Sequence, residues 1–318
     1  MPFQQPPKIC PICQEGKLFK FVKDYRSKSG KFSLFECELC KVQFWTPFKN
    51  PGVDWYEKQD SFTARGILRY KIYRDYHKKF LKLYKNLPPN IKVLDLGCGI
   101  SEFIAELQKR GCEVWGVDFD KNFIEIAKKN FNLKNVYTMS FDDFFQKQDI
   151  PQFDIITFFE VIEHLDNPLK FIQNAKKILK PGGKIILSTP ERERLLVNSV
   201  HLDFPPHHLT RWNQEAVSNL FKKINFGISH IEHIGQFGCL MSAINEKFRT
   251  GLVNKTAELS KGNNKKLVMV KLVHLGGNLK DYLIGGIPAI FLWLFSKLTK
   301  HENGTILIEF KKRRKRII

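Results

Sequence analysis

The chain has 318 residues, 43% of them hydrophobic, which is enough apolar material for a sizeable core and excludes a disordered polymer. Lys and Arg number 52 against 32 Asp and Glu, a formal charge of +20 that favours nucleic acid, anionic lipid or phosphorylated small molecules as partners. Six of those charges form one run, 311–316, near the carboxyl end.

The first motif in chain order is a pair of cysteine knuckles. "CPIC" supplies Cys10 and Cys13, and "CELC" supplies Cys37 and Cys40, after 23 intervening residues. Two C-x2-C pairs at that separation match the thiolate ligands of one tetrahedral structural zinc. The opening residues MPFQQPPKIC contain no apolar signal segment, so a reducing, cytoplasmic setting is expected and disulfides are not. Cys98, Cys112 and Cys239 lack metal-like spacing and read as small buried residues. Around the knuckles, "KFSLFECELCKVQFW" alternates as a strand pair does, and residues 1–48 are expected to form a zinc ribbon too small to fold without its metal.

Residues 49–90 read as a linker and a basic helix, "SFTARGILRYKIYRDYHKKFLKLYKNL", stopped by Pro88 and Pro89; its aromatic stripe is expected to pack. From residue 91 the pattern becomes regular. Apolar strands IKVLDLG (91–97), CEVWGVD (112–118), NVYTM (135–139), FDIITFF (153–159) and GKIILSTP (183–190) alternate with helical stretches near 101–110, 121–130 and 167–179. That alternation predicts an α/β, doubly wound, mostly parallel sheet over a core at 91–239, with ligands at the carboxyl ends of the strands. A further helix and strand follow, NQEAVSNLFKKI and FGISHIEHIG. Residues 240–302 then interrupt the pattern as an apolar helical insert, and 303–318 supply a last strand and the basic tail. Within the insert, "YLIGGIPAIFLWLFS" carries no charge, yet it is shorter than the ~20 residues a spanning helix needs. A buried lid or a helix lying in a membrane surface are the two main readings.

"VLDLGCGISEF" closes the first core strand and opens the first core helix, so Gly97 and Gly99 let a ligand approach the backbone near a helix amino terminus. A dinucleotide fingerprint wants a third glycine where Glu102 stands. Asp95 suits instead a ligand with a cationic amino group, and Asp118, at the end of the second core strand, suits a pair of ribose hydroxyls.

With these segments assembled, "VLDLGCG", "VWGVDFD", "SFDDF", "FDIITFFEVIEHL" and "LKPGGKIILSTP" resemble, in order and spacing, the class I S-adenosylmethionine-dependent methyltransferases, over roughly residues 90–235 and the final strand. The resemblance implies a Rossmann-like sheet of seven strands. It also implies that Asp95, Gly97 and Gly99 hold the methionine part of S-adenosylmethionine, Asp118 the ribose, Asp142 the adenine amino group, and Phe119 the ring.

"TFFEVIEHLDNPLKF" carries the acceptor-side question. Glu160, Glu163 and His164 stand at helical i, i+3, i+4 spacing just past a buried strand, and "PPHHLTRWN" adds His207 and His208. A hydroxyl acceptor needs its pKa lowered, by a divalent metal such as Mg or Mn or by a histidine base. An E-x-x-E-H element at this place is similar to that of the ubiquinone-type O-methyltransferases and of the small-RNA 2′-O-methyltransferases, and His208 stands before Trp212 as a histidine does in the RNA enzymes. A metal site, a metal-free base or positioning group, and a purely structural role all remain open on the sequence. Glu160, Glu163, His164 and His208 are the catalytic candidates.

The ribbon followed by such a domain and by "PPHHLTRW" also resembles bacterial methyltransferases of cell-surface glycan or lipid-linked metabolites. The expected acceptor is therefore a small or lipid-linked molecule, glycan or quinone-like. Residues 282–298 and the 311–316 run would meet an anionic membrane at its inner face. RNA is the alternative acceptor, favoured by the charge and the ribbon and opposed by the greasy insert.

Overall fold

The computed structural model describes residues 1–27, 29–52, 55, 74–194, 203–235, 290–291 and 303–312. One compact unit comprises 1–191, 204–232 and 306–318; a second comprises 192–203 and 233–305.

The amino-terminal part of the first unit is a β-sheet wrapped on the knuckles. Strands β1 (Phe19–Ser27), β2 (Gly30–Cys37) and β3 (Gln43–Thr46) pair antiparallel in sequence order. The alternation of "KFSLFECELCKVQFW" is realised as β2 and β3, whose Leu34, Phe44 and Trp45 are fully buried. A fourth strand comes from far along the chain: β9 (Thr210–Arg211) pairs antiparallel with β3, Gln43 opposite Arg211 and Phe44 opposite Thr210. Two residues offer too little alternation to be read as a strand from sequence.

The main sheet contains β4 (Lys92–Leu96), β5 (Glu113–Asp118), β6 (Val136–Thr138), β7 (Phe153–Phe159), β8 (Leu179–Pro190), β10 (Phe226–Gly235) and β11 (Asn303–Lys312). Their order is β10-β11-β8-β7-β4-β5-β6. The pairs β4–β5, β4–β7, β5–β6 and β7–β8 are parallel. Both faces are covered, so the strands read as near-continuous apolar runs. The expected Rossmann-like sheet is thus present, and β8 begins at Leu179, earlier than the 183–190 read from sequence.

Helices α1 (Asp75–Leu83), α2 (Glu102–Lys109), α3 (Lys121–Phe131), α4 (Phe141–Gln146), α5 (Pro168–Lys177) and α6 (Gln214–Lys222) connect these strands. Side-chain caps start four of them: Asp120 for α3, Ser140 for α4, Asn167 for α5 and Asn213 for α6. Cys98 and Cys112 are buried, as expected.

The apolar segment 282–298, apart from Ile290 and Phe291, lies outside the described residues, as do residues 56–73 of the basic linker helix, Cys239 and 313–316 of the basic run. Among the described residues no helix is long and apolar enough to cross a membrane.

Candidate functional site

Progress along the chain runs outward from β4 through β5 to β6 on one side, and through β7 to β8 on the other. A crevice therefore opens at the carboxyl ends of β4, β5 and β7, where doubly wound sheets bind ligands. Asp95, Gly97, Gly99 and Asp118 all stand there.

Asp95 is 3% exposed and its Oδ1 accepts a 2.6 Å hydrogen bond from Thr157 Oγ1 on the neighbouring strand. Burial raises its pKa to about 7, the Thr157 hydroxyl opposing this and the charge of Asp118 adding to it. Asp118 is also buried. Its Oδ2 accepts the Gly99 N–H at 2.8 Å and its Oδ1 the Asp120 N–H at 3.0 Å, yet burial still raises its pKa to about 6. For both carboxyls burial is the largest cause of the shift. A buried carboxylate pair of this kind is costly alone and is relieved by a ligand that brings a cation and hydroxyl donors.

The two glycines do different work. Gly97 has φ +82°, and a Cβ there would come within 2.5 Å of Val161 Cγ2, so the glycine lets the loop pass directly under the EVIEH turn. Gly99 has φ +52° and faces open space, where a ligand can approach. Phe119 is 42% exposed beside Asp118. Asp142 lies in the first turn of α4 and is half exposed, in an ion pair with Lys170 Nζ at 2.7 Å; an adenine amino group would share it with that lysine. The Phe141 ring edge comes within 4.0 Å of the position a Gly97 Cβ would take, which adds a second aromatic to that side of the crevice.

On the acceptor side the expected helical face is not formed. Glu160 adopts φ +55° directly after β7, and a single 3-10 turn follows over Ile162–His164. The carboxylates consequently reach the end of β8. Glu160 Oε1 accepts from Ser188 Oγ at 2.9 Å, and the buried Glu163 Oε2 accepts from Thr189 Oγ1 at 3.2 Å, both at the end of β8. His164 instead gathers with His207 and His208, ring centroids 4.5 and 4.7 Å away, and nitrogens of the three rings lie within 4.8 Å of one another. Glu160 and Glu163 are not in that group.

His164 Nδ1 is 2.9 Å from the His207 carbonyl, which only accepts, so Nδ1 carries the proton and Nε2 is the lone-pair nitrogen. Burial, with the charge of His207 adding to it, lowers the His164 pKa to about 3. The ring is neutral at physiological pH. Such an imidazole suits a metal ligand or a hydrogen-bond acceptor better than a general base, whose pKa belongs near the working pH.

His207 is not among the four catalytic candidates drawn from the sequence, which leave it a base or positioning role; its adjacency to His208 in "PPHH" is the available signal. Tyr76 on α1 went unnoticed within the aromatic stripe. Its ring lies 5.4 Å from that of Phe159, and burial together with the charges of Glu160, Glu163 and Asp95 raises its pKa.

The cysteine knuckles fit a tetrahedral thiolate metal. All four thiols are buried and their sulfurs lie within 4.8 Å of one another, with Cys10–Cys40 and Cys13–Cys37 at 3.9 Å. Ligands about 2.3 Å from a tetrahedral zinc stand about 3.8 Å apart. The knuckles repeat one geometry: Gln14 (φ +59°) donates its N–H to Cys10 O, and Lys41 (φ +64°) donates to Cys37 O. Gly16 closes the nest, since a Cβ there would lie 2.3 Å from Cys37 Sγ.

Residues 68–231 match the model of a methyltransferase domain family. The mitochondrial ubiquinone biosynthesis O-methyltransferase of Dictyostelium discoideum is 36% identical over 166 residues, 45% of this chain and 51% of that protein. The ubiquinone biosynthesis O-methyltransferase of Actinobacillus pleuropneumoniae (serotype 7) is 34% identical over 153 residues, 46% of this chain and 63% of that one. The chain thus spans about half to two thirds of the length of these relatives. In fold it is similar to Haemonchus contortus phosphoethanolamine N-methyltransferase 2 in complex with S-adenosyl-L-methionine, with a TM-score of 0.53 and 17% identity over 92% of this chain and 71% of that one.

Proposed function

The chain belongs to the methyltransferase domain family, and we propose that it transfers the methyl group of S-adenosylmethionine to a hydroxyl oxygen of a small or lipid-linked acceptor, glycan or quinone-like. The observation that carries this reading is a buried carboxylate pair (Asp95, Asp118) at the carboxyl ends of β4 and β5 together with three gathered imidazoles (His164, His207, His208), of which His164 lies in the turn after β7. The likeness to ubiquinone O-methyltransferases supports oxygen as the acceptor atom.

In this reading Asp95 receives the donor's ammonium and Asp118 its ribose hydroxyls, while Asp142, Phe119 and Phe141 flank the adenine. Binding in that way orients the sulfonium methyl toward the end of β7, and positioning supplies much of the catalysis because the thioether is a good leaving group. The oxygen–carbon bond forms as the sulfur–carbon bond breaks, S-adenosylhomocysteine leaves as the neutral thioether, and the hydroxyl proton passes to the Glu160 carboxylate or to water. Glu160 and Glu163, held by Ser188 and Thr189, accept hydrogen bonds from the acceptor or orient it. His164, His207 and His208 would hold a divalent ion, which when bound lowers the pKa of the acceptor hydroxyl. Nitrogen-rich donors suit zinc or manganese better than magnesium, which prefers oxygen. The four cysteines hold a structural zinc.

Incubating a host extract with the protein and methyl-labelled S-adenosylmethionine, followed by mass spectrometry, tests the reading. Label in small molecules or in the organic-solvent phase supports it; label in RNA ribose, or none, overturns it.

A further inference from the structure

The cysteine ribbon and the histidine loop are joined by backbone. The strand β9 begins one residue after His208, past Leu209, and its strand neighbour in the sheet is β3 of the cysteine ribbon. At the junction Trp45 N–H donates to Leu209 O at 3.0 Å, and Leu209 N–H donates in turn to Glu163 O at 2.9 Å. Leu209 thereby links the ribbon on one side to the EVIEH turn on the other.

Further contacts run to the same turn and loop from the ribbon and from the residues that directly follow it. Asn50 Nδ2 donates to His164 O at 2.9 Å and Asn50 N–H to Asp166 Oδ1 at 2.6 Å. Gln14, inside the first knuckle, donates to Asn167 Oδ1 at 3.3 Å. The rings of Tyr25 and Trp45 lie 4.4 and 5.8 Å from that of Phe204, whose carbonyl accepts the N–H groups of both His207 and His208. The donor cradle is built differently. Asp95 and Asp118 are held by Thr157, Gly99 and Asp120, all within the main sheet and its loops.

We propose that the cysteine ribbon is a positioning element for the acceptor side: occupancy of the four-cysteine site sets the placement of the His207–His208 loop, and leaves the S-adenosylmethionine cradle unaffected. A ribbon of this size depends on its metal to stay folded. When β3 is lost, a strand as short as β9 loses the neighbour that aligns it, and the histidines lose their anchor. The inference rests on the cysteines holding zinc, and its methyl-transfer consequence on the function proposed above.

The test uses the full chain, zinc-loaded or stripped by a thiol-competitive chelator, together with Gln43→Pro. Trp45 N–H faces β9, so the N–H of Gln43, two residues earlier, faces it as well; proline withdraws that donor and leaves all four thiols in place. Amide hydrogen exchange is read on segments 204–212 and 92–99, and S-adenosylmethionine affinity by calorimetry. Stripping and Gln43→Pro are each expected to speed exchange in 204–212 by tenfold or more, with 92–99 and donor affinity changed less than twofold. Unchanged protection of 204–212 in either sample overturns the proposal, and so does an equal loss in 92–99. Failure of the zinc-loaded protein to bind the donor would count against the methyltransferase reading instead, since the exchange result does not depend on it.

Discussion

With Asp95 and Asp118 holding the donor as proposed, its binding should be strongly pH-dependent, and in a predictable direction. Both carboxyls have pKa values raised by burial, to about 7 and about 6. A ligand that brings an ammonium and ribose hydroxyls binds the ionised forms, so affinity is complete above the higher pKa and is lost as pH falls through each in turn. Treating the two as independent, protonation weakens apparent affinity by 1 + 10^(pKa − pH) at each site. Between pH 7.5 and 5.5 this amounts to roughly 25-fold from Asp95 and about fourfold from Asp118, together about 100-fold or about 2.7 kcal/mol. Asp95→Asn keeps an oxygen for Thr157 Oγ1 and abolishes the ionisation. Its pH dependence should shrink to about fourfold, while affinity at pH 7.5 falls by about 1.5–3 kcal/mol through loss of a charge-assisted hydrogen bond. Isothermal calorimetry with S-adenosylmethionine or S-adenosylhomocysteine across this range is the assay. A change of less than about fivefold in the unaltered protein, or a full pH dependence surviving in Asp95→Asn, would refute the assignment of these carboxyls to the donor.

Gly97→Ala should destabilise the fold by about 2–4 kcal/mol, seen in thermal unfolding, because its Cβ meets Val161 Cγ2 at 2.5 Å on a left-handed backbone. Gly99→Ala meets no protein atom within 4 Å and should cost only about 1 kcal/mol of stability, yet reduce donor affinity measurably where the ligand approaches. His164→Ala and His208→Ala are each expected to lower turnover at least tenfold with donor affinity unchanged, once an acceptor is in hand; normal turnover in both would make the imidazole group structural. Elemental analysis should find one zinc per chain bound by Cys10, Cys13, Cys37 and Cys40, displaced in Cys40→Ser; less than half an equivalent in zinc-supplemented preparations would contradict this.

The local signals in this chain were sufficient wherever function depends on neighbours in sequence. Strand-helix alternation from residue 91 onward, the glycines between β4 and α2, Asp118 at the end of β5, and the two C-x2-C knuckles all appear in the structure where their spacing placed them. Each is legible because its chemistry is written in consecutive residues: buried parallel strands are continuous apolar runs, and a knuckle is a single turn. Three things were decided only by tertiary structure. The left-handed Glu160 and the short 3-10 turn replace the helix that EVIEH spacing implied, so the three side chains do not line one helical face. His207 joins His164 and His208 because the loop carrying it is pulled across by backbone pairing with residues more than 160 positions earlier, which leaves no trace in local periodicity. The same pairing makes the ribbon part of the acceptor side. Long-range strand register depends on which edge is left open after both sheets form, and a two-residue strand cannot announce that choice in its own sequence.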